Sequence, residues 1–532
     1  MIRRAGLILL TVAPLLAASP APAADVRAAD LRVGIAVEPD SIDPHFHNFG
    51  GNKSFDPNVF DALTALDAQD HLTPGLALSW HLVDDTTWEF RLRPGVVFSD
   101  GSTFTADDVA FTLQRVPNVP TSVADFSEYV KPIARTEVVD PLTIRLHTSA
   151  PFPLAPNYLS AISIVSRKYG AGASTADYNT GKAAIGTGPF RLVSWARGDR
   201  IILERNDHYW GPRPIWTRVE LHYISNAAAR LAALLSGVVA LIDRVSLQDV
   251  ARVKQDPRFT LSAGPSNDLV GLVFDVIDHS SPKITDNDGK PLLHNPLRDL
   301  RVRQAIDMAI DRNAIRDRLM NGMAAPDNQY MRPGQFGYDP ALPPLHVDPA
   351  GAKRLLAEAG FPTGFHLMVD CDNDRFVNDS MICQGVAQML THAGLTATPE
   401  AMPHAVWVPL ANKHAFSLFT YFWTLDTPEP SVMLNSQLVT PDPVHGHGQF
   451  NRGVWSNATF DATLAQAVST LDNAAREALL IKATDIAIRD VAVLPLHHQF
   501  NVEAMVKAIH RPPRHDGRIL PEEITEDAAK GE

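Results

Sequence analysis

Trp88-Glu89-Phe90-Arg91-Leu92-Arg93-Pro94-Gly95-Val96-Val97-Phe98, with Thr105-Ala106-Asp107-Asp108-Val109 shortly after it, carries the decision about fold. As far as Arg93 the side chains alternate apolar and charged, the period of a half-buried strand. Pro94-Gly95 then breaks the run with turn residues. Thr105 and Asp108 have the spacing of a capping box, with an acid in the fourth place and an apolar run beyond. That spacing predicts a helix through about Arg115, before Pro117. Strand, turn and helix thus follow one another directly.

The same mixture extends in both directions. Strand alternation recurs at Leu31 to Val37, Thr143 to Leu146, Ile201 to Arg205 and Val219 to Ile224. Asn226 caps an alanine- and leucine-rich helix ending at Gly237, and Ser246 with Asp249 forms another capping box. From Leu300 to Ile310, residues Val302, Ala305, Ile306, Ala309 and Ile310 share one helical face. Asp348 caps a helix that has Pro349 in its first position and ends at Gly360. Asp472 precedes a helical pattern through about Arg489. No internal repeat or charge run interrupts the series, so the class is α/β or α+β.

The chain's 532 residues allow several domains and ample core. Arg3 and Arg4, the apolar run Ala5 to Ala18 and the small residues Ala21-Pro22-Ala23-Ala24 form a secretory leader pattern over 1–24. Its apolar run is short for a membrane span, and no cysteine near the cleavage site offers itself to a lipid. The expectation is a periplasmic protein, free of lipid. The formal net charge of −13 argues against nucleic acid or anionic lipid as a partner. The two cysteines, Cys371 and Cys383, fit either a disulfide from a strand end to the next helix or a pair of buried thiols.

Several stretches in order resemble the peptide/nickel family of extracellular solute-binding proteins, family 5. They are Glu38-Pro39-Asp40-Ser41-Ile42-Asp43-Pro44 after the first strand; Leu72-Thr73-Pro74-Gly75-Leu76-Ala77 leading into the stretch quoted above; Gly186-Thr187-Gly188-Pro189-Phe190 with Asn206-Asp207-His208-Tyr209-Trp210-Gly211; Arg301-Val302-Arg303-Gln304-Ala305-Ile306 leading to Ile310-Asp311-Arg312; and Leu494-Pro495-Leu496-His497-His498. The resemblance implies an α/β, two-lobed periplasmic binding fold of the Venus-flytrap kind (type II-like, cluster C) with an extra inserted small domain. Lobe I would comprise 25–56, 186–268 and 495–532, the inserted domain 57–185 and lobe II 269–494. It also implies a monomeric, non-enzymatic component of an ABC importer, without cofactor. Such a protein captures a small peptide or peptide-like solute between its lobes and delivers it to inner-membrane permease subunits.

A free peptide brings an ammonium and a carboxylate into the cleft, and each needs a partner. Asp426, after the apolar run Phe416 to Tyr421, resembles the family aspartate that meets the peptide's amino group. Trp423 would be a wall of the site and Tyr421 an aromatic neighbour. The other reading makes Asp426 a turn residue before Pro428 and Trp423 core. The family often has a glycine where this chain has Phe422. Arg375 lies near the family position that meets the ligand carboxylate; it also fits a structural arginine tied to Asp374 or Asp379. Phe46 and Asn48 follow the first motif in a loop that can face the cleft.

The pairs His45/His47, His445/His447 and His497/His498 are the metal candidates, and among 20 histidines they read as structural. Asp286-Asn287-Asp288-Gly289 reads as a turn, because Asn295 stands where a calcium loop needs glutamate. A nickel or metal-chelate binder is the alternative within the family, and a secreted hydrolase the alternative outside it. The hydrolase lacks a Gly-x-Ser-x-Gly elbow or a His-Glu-x-x-His helix.

Overall fold

The structure is a computed structural model that describes residues 30–526 apart from 123, 278–280, 282 and 426. The leader expected over 1–24 and the candidate Asp426 lie outside the described residues. The strands, in chain order, are β1 (Asp30–Ile35), β2 (Thr64–Leu66), β3 (Leu72–Pro74), β4 (Ala77–Asp84), β5 (Thr87–Leu92), β6 (Ile133–Asp140), β7 (Thr143–Thr148), β8 (Phe190–Ala196), β9 (Arg200–Arg205) and β10 (Arg218–Tyr223). They continue as β11 (Leu241–Ile242), β12 (Phe259–Phe274), β13 (Ile284–Thr285), β14 (Ala324–Pro326), β15 (His366–Asp372), β16 (Thr396–Met402), β17 (Leu418–Thr424) and β18 (Val493–Val506). β5 and β10 each begin one residue before the alternation visible in the sequence.

One 12-stranded sheet runs through both lobes in the order β13-β15-β17-β12-β18-β11-β1-β10-β9-β8, with β14 on β18 and β16 on β15. The long strands β12 and β18 belong to both halves. In lobe II the sheet is covered on both faces. Leu367, Val369 and Cys371 pack with Ile382, Cys383 and Val386 of the helix Asp379–His392. On the other face Phe419 and Tyr421 pack with Leu434, Phe460, Leu464 and Leu480. Burying each such side chain contributes about 1.5–3 kcal/mol.

Most helix starts follow the caps read from sequence. Asn226, Asp348 and Asp472 each accept a backbone N–H of the first turn. The Ser246/Asp249 box does not form: the Ser246 hydroxyl turns to Gln248, and the helix starts only at Val250. A hydroxyl that finds a closer side-chain acceptor is lost to the backbone. Asp286 Oδ1 accepts the N–H groups of Asp288 and Lys290 at 2.9 and 2.8 Å, a side-chain-closed turn.

The antiparallel sheet β4-β5-β7-β6 has its own core of Phe90, Phe98, Phe104, Val109, Ile144 and Leu146. Thr105 N–H donates to Asp108 Oδ2 at 2.9 Å, opening the helix Ala106–Arg115. Gly95, after β5, takes a φ of 74°, where a side chain is strained. Two of the junctions between this small domain and lobe I are close-packed or charged. Gly186 passes so close to the backbone of Val59 that an added Cβ would sit 1.9 Å from its carbonyl oxygen. Arg115 reaches back to the first loop, donating to Asp43 Oδ2 at 2.6 Å and lying 2.7 Å from His45 Nδ1. His45 Nε2 lies 2.7 Å from the Ser163 carbonyl, so the ring is the neutral tautomer that donates there and accepts from Arg115.

Burial, and then the Arg115 charge, push His45 down from 6.5 to about 4. Between those values only the unfolded chain holds the proton. The stability that neutral His45 contributes is therefore complete above pH 6.5 and lost as pH falls toward 4. The expected loss is about 3 kcal/mol. Urea unfolding of the wild type and His45→Gln across this range tests it. Asp61, pushed up to about 6 by burial, acts in the opposite sense in both proteins and cancels in the difference. A flat difference curve would show that His45 does not set this slope.

Candidate functional site

The lobes are joined where the crossover strands lose register. β12 and β18 pair antiparallel from Phe259↔Val506 to Val273↔Val493, with a break between Pro265 and Leu269. These two face Phe500 and His498, so Ser266, Asn267 and Asp268 stand opposite Gln499 alone. The freed backbone groups find new partners. Asn267 N–H donates to the His515 carbonyl at 3.0 Å, and Leu425 N–H donates to the Asn267 carbonyl at 2.8 Å. Arg332 donates to the Ser266 carbonyl and, at 3.0 Å, to Asn267 Oδ1.

Asp70 comes to this arginine from the β2–β3 turn, on a backbone with φ 67°. Its Oδ2 lies 3.4 Å from Arg332 Nη2 and 3.1 Å from His515 Nδ1, and its Oδ1 takes Asn267 Nδ2 at 3.3 Å. Asp70 and Arg332 are both buried. The knot joins the small domain, a crossover strand, lobe II and the C-terminal segment. The adjacent His497 and His498 are wholly buried, and burial pushes both below the ordinary histidine range.

Strand direction places the cleft. β11 runs parallel to β1 and antiparallel to β18, so β1 and β11 end on the hinge side of lobe I. β17 pairs antiparallel with β12 from Leu418↔Phe274 to Thr424↔Asp268, and β15 runs parallel to β17. Both lobes therefore present carboxyl ends of parallel strands beside the hinge, where open α/β sheets take ligands.

Arg375 stands at the carboxyl end of β15 in a loop fastened on all sides. The N–H groups of Arg375 and Phe376 donate to Asp379 Oδ2 at 2.9 and 3.4 Å. Val377 N–H donates to Gln499 Oε1 at 2.9 Å, and Asn378 Nδ2 to the Leu319 carbonyl at 2.7 Å. His404 N–H donates to Asp374 Oδ1 at 2.7 Å. The ring of Phe376 stacks on Phe422 at 5.8 Å. The Arg375 side chain is exposed, its guanidinium is 4.8 Å from the centroid of the Phe422 ring, and it forms no ion pair within 4 Å among the described residues, although its charge acts on the Asp372 carboxyl. Asp379 accepts the Arg375 backbone N–H, and no ion pair of the guanidinium with Asp374 or Asp379 is formed. Phe422, in the place where the family often has glycine, is the platform beneath the cation.

Trp423 and Tyr421 share the opposite face of β17. Trp423 is half-buried with its ring 6.0 Å from Phe450. Tyr421 is 6% exposed inside the second core, and burial pushes its phenol well up. The two-residue strand period that gives Phe422 to one face gives Tyr421 to the helices on the other. Phe46 and Asn48 lie in lobe I after β1. The Phe46 carbonyl accepts Ser122 Oγ at 2.6 Å, and Asn48 Nδ2 donates to Glu128 Oε1 at 2.9 Å. Neither hydrogen-bonds lobe II among the described residues. The structure thus groups Arg375 with the end of β17, and sets Phe46 and Asn48 on the other lobe.

Both nitrogens of His45 are engaged, and His47 Nδ1 turns to Asp40. Among the described residues no group of three His, Cys, Asp or Glu side chains could hold a metal ion. Sequence reasoning missed Gln499, Asn267 and the Asp70–Arg332 pair. The signal nearest to them was the turn composition Asp67-Ala68-Gln69-Asp70, which says nothing of a partner 262 positions away.

Two halves of one sheet, joined by a bulged strand pair and each with parallel strands ending beside it, define a two-lobed binding fold. The chain belongs to the bacterial extracellular solute-binding proteins, family 5, whose middle region matches residues 71–442. It is a solute-binding protein of the importer class, not an enzyme. The glutathione-binding protein GsiB of Escherichia coli (strain K12) is 27% identical over 510 residues, covering 93% of each chain. The unliganded open form of the periplasmic murein tripeptide binding protein MppA superposes with a TM-score of 0.79 at 20% identity, over 93% of this chain and 97% of that one. HbpA2 of Haemophilus parasuis superposes with a TM-score of 0.80 at 23% identity, over 94% and 100%. No helix among the described residues is long and apolar enough to cross a membrane.

Cys371 and Cys383 form a disulfide with 12 residues of separation, bracketing the Arg375 loop. Closing a loop of that size stabilises by about 3 kcal/mol. Replacing both cysteines with alanine is expected to lower stability by that order in urea unfolding. It should also raise amide exchange across 373–380 before the rest of lobe II. Uniform exchange would mean that the bridge does not hold this loop.

Proposed function

We propose that the protein captures a small peptide or peptide-like solute with a free carboxylate and delivers it to an ABC permease. The observation that carries this is the exposed Arg375 guanidinium, in no ion pair within 4 Å among the described residues, on a pinned loop beside the hinge. A cation on a backbone already held in place is suited to an incoming anion, since little loop freedom remains to be lost on binding. Asp426, next to the hinge-bonded Leu425, is proposed to take the ligand's ammonium, with Trp423 as a wall. Phe46 and Asn48 are proposed to meet the solute from lobe I as the lobes close. Lobe I is assigned 25–56, 186–268 and 495–532, the inserted domain 57–185 and lobe II 269–494. The protein is proposed to work as a monomer in the periplasm, exported by its leader and without a lipid anchor. The relatives named for glutathione support including that tripeptide, with its two carboxylates and one ammonium, among the first ligands tried.

A thermal-shift panel of glutathione, peptides of two to five residues, their amidated and amino-blocked forms, and nickel chelates tests the reading. A ligand present at about 100 times its dissociation constant adds roughly 2.7 kcal/mol to native stability. Free peptides should stabilise the protein and amides should do so less; a response to nickel chelates alone would overturn the peptide reading.

In calorimetry, Asp426→Asn should weaken a free peptide by about 1–3 kcal/mol, the scale of one charge-assisted hydrogen bond. Arg375→Ala should weaken free acids and leave amides unchanged. Equal losses for acid and amide would remove the carboxylate role from Arg375.

A further inference from the structure

The Arg375 loop is anchored mostly from within lobe II: by Asp379, by His404, by the Leu319 carbonyl, by the stack on Phe422 and by the disulfide. One anchor is different. Val377 N–H donates to the side chain of Gln499, which lies on crossover strand β18. Gln499 is 5% exposed and faces the bulge formed by Ser266, Asn267 and Asp268. Its own backbone is held by the pairing with Ala324 of β14. The second ligand-side loop is tied in the same way, through Leu425 N–H on the Asn267 carbonyl at 2.8 Å. Each crossover strand therefore carries a direct hydrogen bond to a loop at the carboxyl end of the lobe II sheet.

We infer that Gln499 is a positioning residue that fixes Arg375 for the ligand's carboxylate and couples that loop to the hinge. This rests on the reading of Arg375 as the carboxylate's partner. Closure changes backbone angles at a few hinge residues. The residues of β18 that absorb such a change flank Gln499, and its amide oxygen passes the change to Val377, two residues from Arg375. A carboxylate that holds Arg375 still thereby favours the hinge angle at which Gln499 and Val377 remain bonded, as differential affinity for two states requires. An apolar side chain of similar length at 499 leaves Val377 N–H without this acceptor and frees the loop from the hinge.

The test compares Gln499→Met, Arg375→Ala and the double variant, with glutathione and trialanine as free acids and as C-terminal amides. Gln499→Met is expected to lose the free-acid preference by about tenfold, the scale of one such hydrogen bond, and to add nothing in the Arg375→Ala background. Gln499→Glu, which keeps an acceptor oxygen, should restore part of the preference. Hydrogen exchange of the unliganded protein supplies a reading independent of ligand: the Val377 amide should exchange faster in Gln499→Met while the lobe II core strands do not. If Gln499→Met keeps the preference that Arg375→Ala loses, the coupling is wrong and the carboxylate reading stands. If Arg375→Ala keeps the preference as well, the carboxylate reading falls, and with it the role of Gln499 toward a ligand. Unchanged Val377 exchange overturns the positioning role in either case.

Discussion

The antiparallel pairing of β12 with β18 is the constraint on which the rest of the molecule depends. The chain passes from one half of the sheet to the other and back through these two strands. A regular ladder would make it a stiff ribbon. Three residues opposite one break the ladder between Pro265 and Leu269 and release backbone groups that must be satisfied elsewhere. Arg332, His515 and Leu425 satisfy them, each from a different part of the chain. At this point the sheet's own hydrogen bonds are exchanged for bonds to other parts of the chain.

Buried charge repeats this logic at the other junction. Asp43 and Arg115 join the first loop to the small domain, as Asp70 and Arg332 join the small domain to lobe II. Burial alone would raise the Asp43 carboxyl; hydrogen bonds and charge from Arg115 outweigh it and hold the carboxyl below its usual value. Such pairs add little net stability against an apolar pair of equal volume, but a half-pair is costly. They therefore specify which surfaces meet more than how firmly they meet. That suits segments distant in sequence that must find one mutual arrangement.

Local physics made much of the architecture legible. Alternation at Trp88 to Arg93 and capping at Thr105, Asp348 and Asp472 report on near neighbours, and the structure follows them. Ser246 was misread because its hydroxyl has a nearer acceptor in Gln248, which no spacing rule reveals. The candidate site was legible to the extent that motifs mark loops: Arg375 lies where a strand ends beside the hinge. Tyr421 was harder, since both faces of β17 are buried and an apolar run cannot say which side chains look toward a ligand. Gln499, between His498 and Phe500 in an ordinary strand, carries no signal in the sequence, because its importance comes from the bulge across from it.

The chain's acidity bears on how such a site attracts an anion. A net charge of −13 repels a carboxylate at distance, although the screening length in physiological salt is only about 8 Å. The attraction must therefore be local, and a local cation works only if it is in position when the ligand arrives. The fastenings of the Arg375 loop meet that requirement. Disulfide, carboxylate cap, aromatic stack and Gln499 remove in advance the backbone freedom that binding would otherwise have to remove. The guanidinium, left with its own torsions above Phe422, gives a short-range reward within a repulsive field. With Arg375 as the proposed carboxylate partner, this arrangement would favour solutes that offer a carboxylate at one point over those that merely carry negative charge.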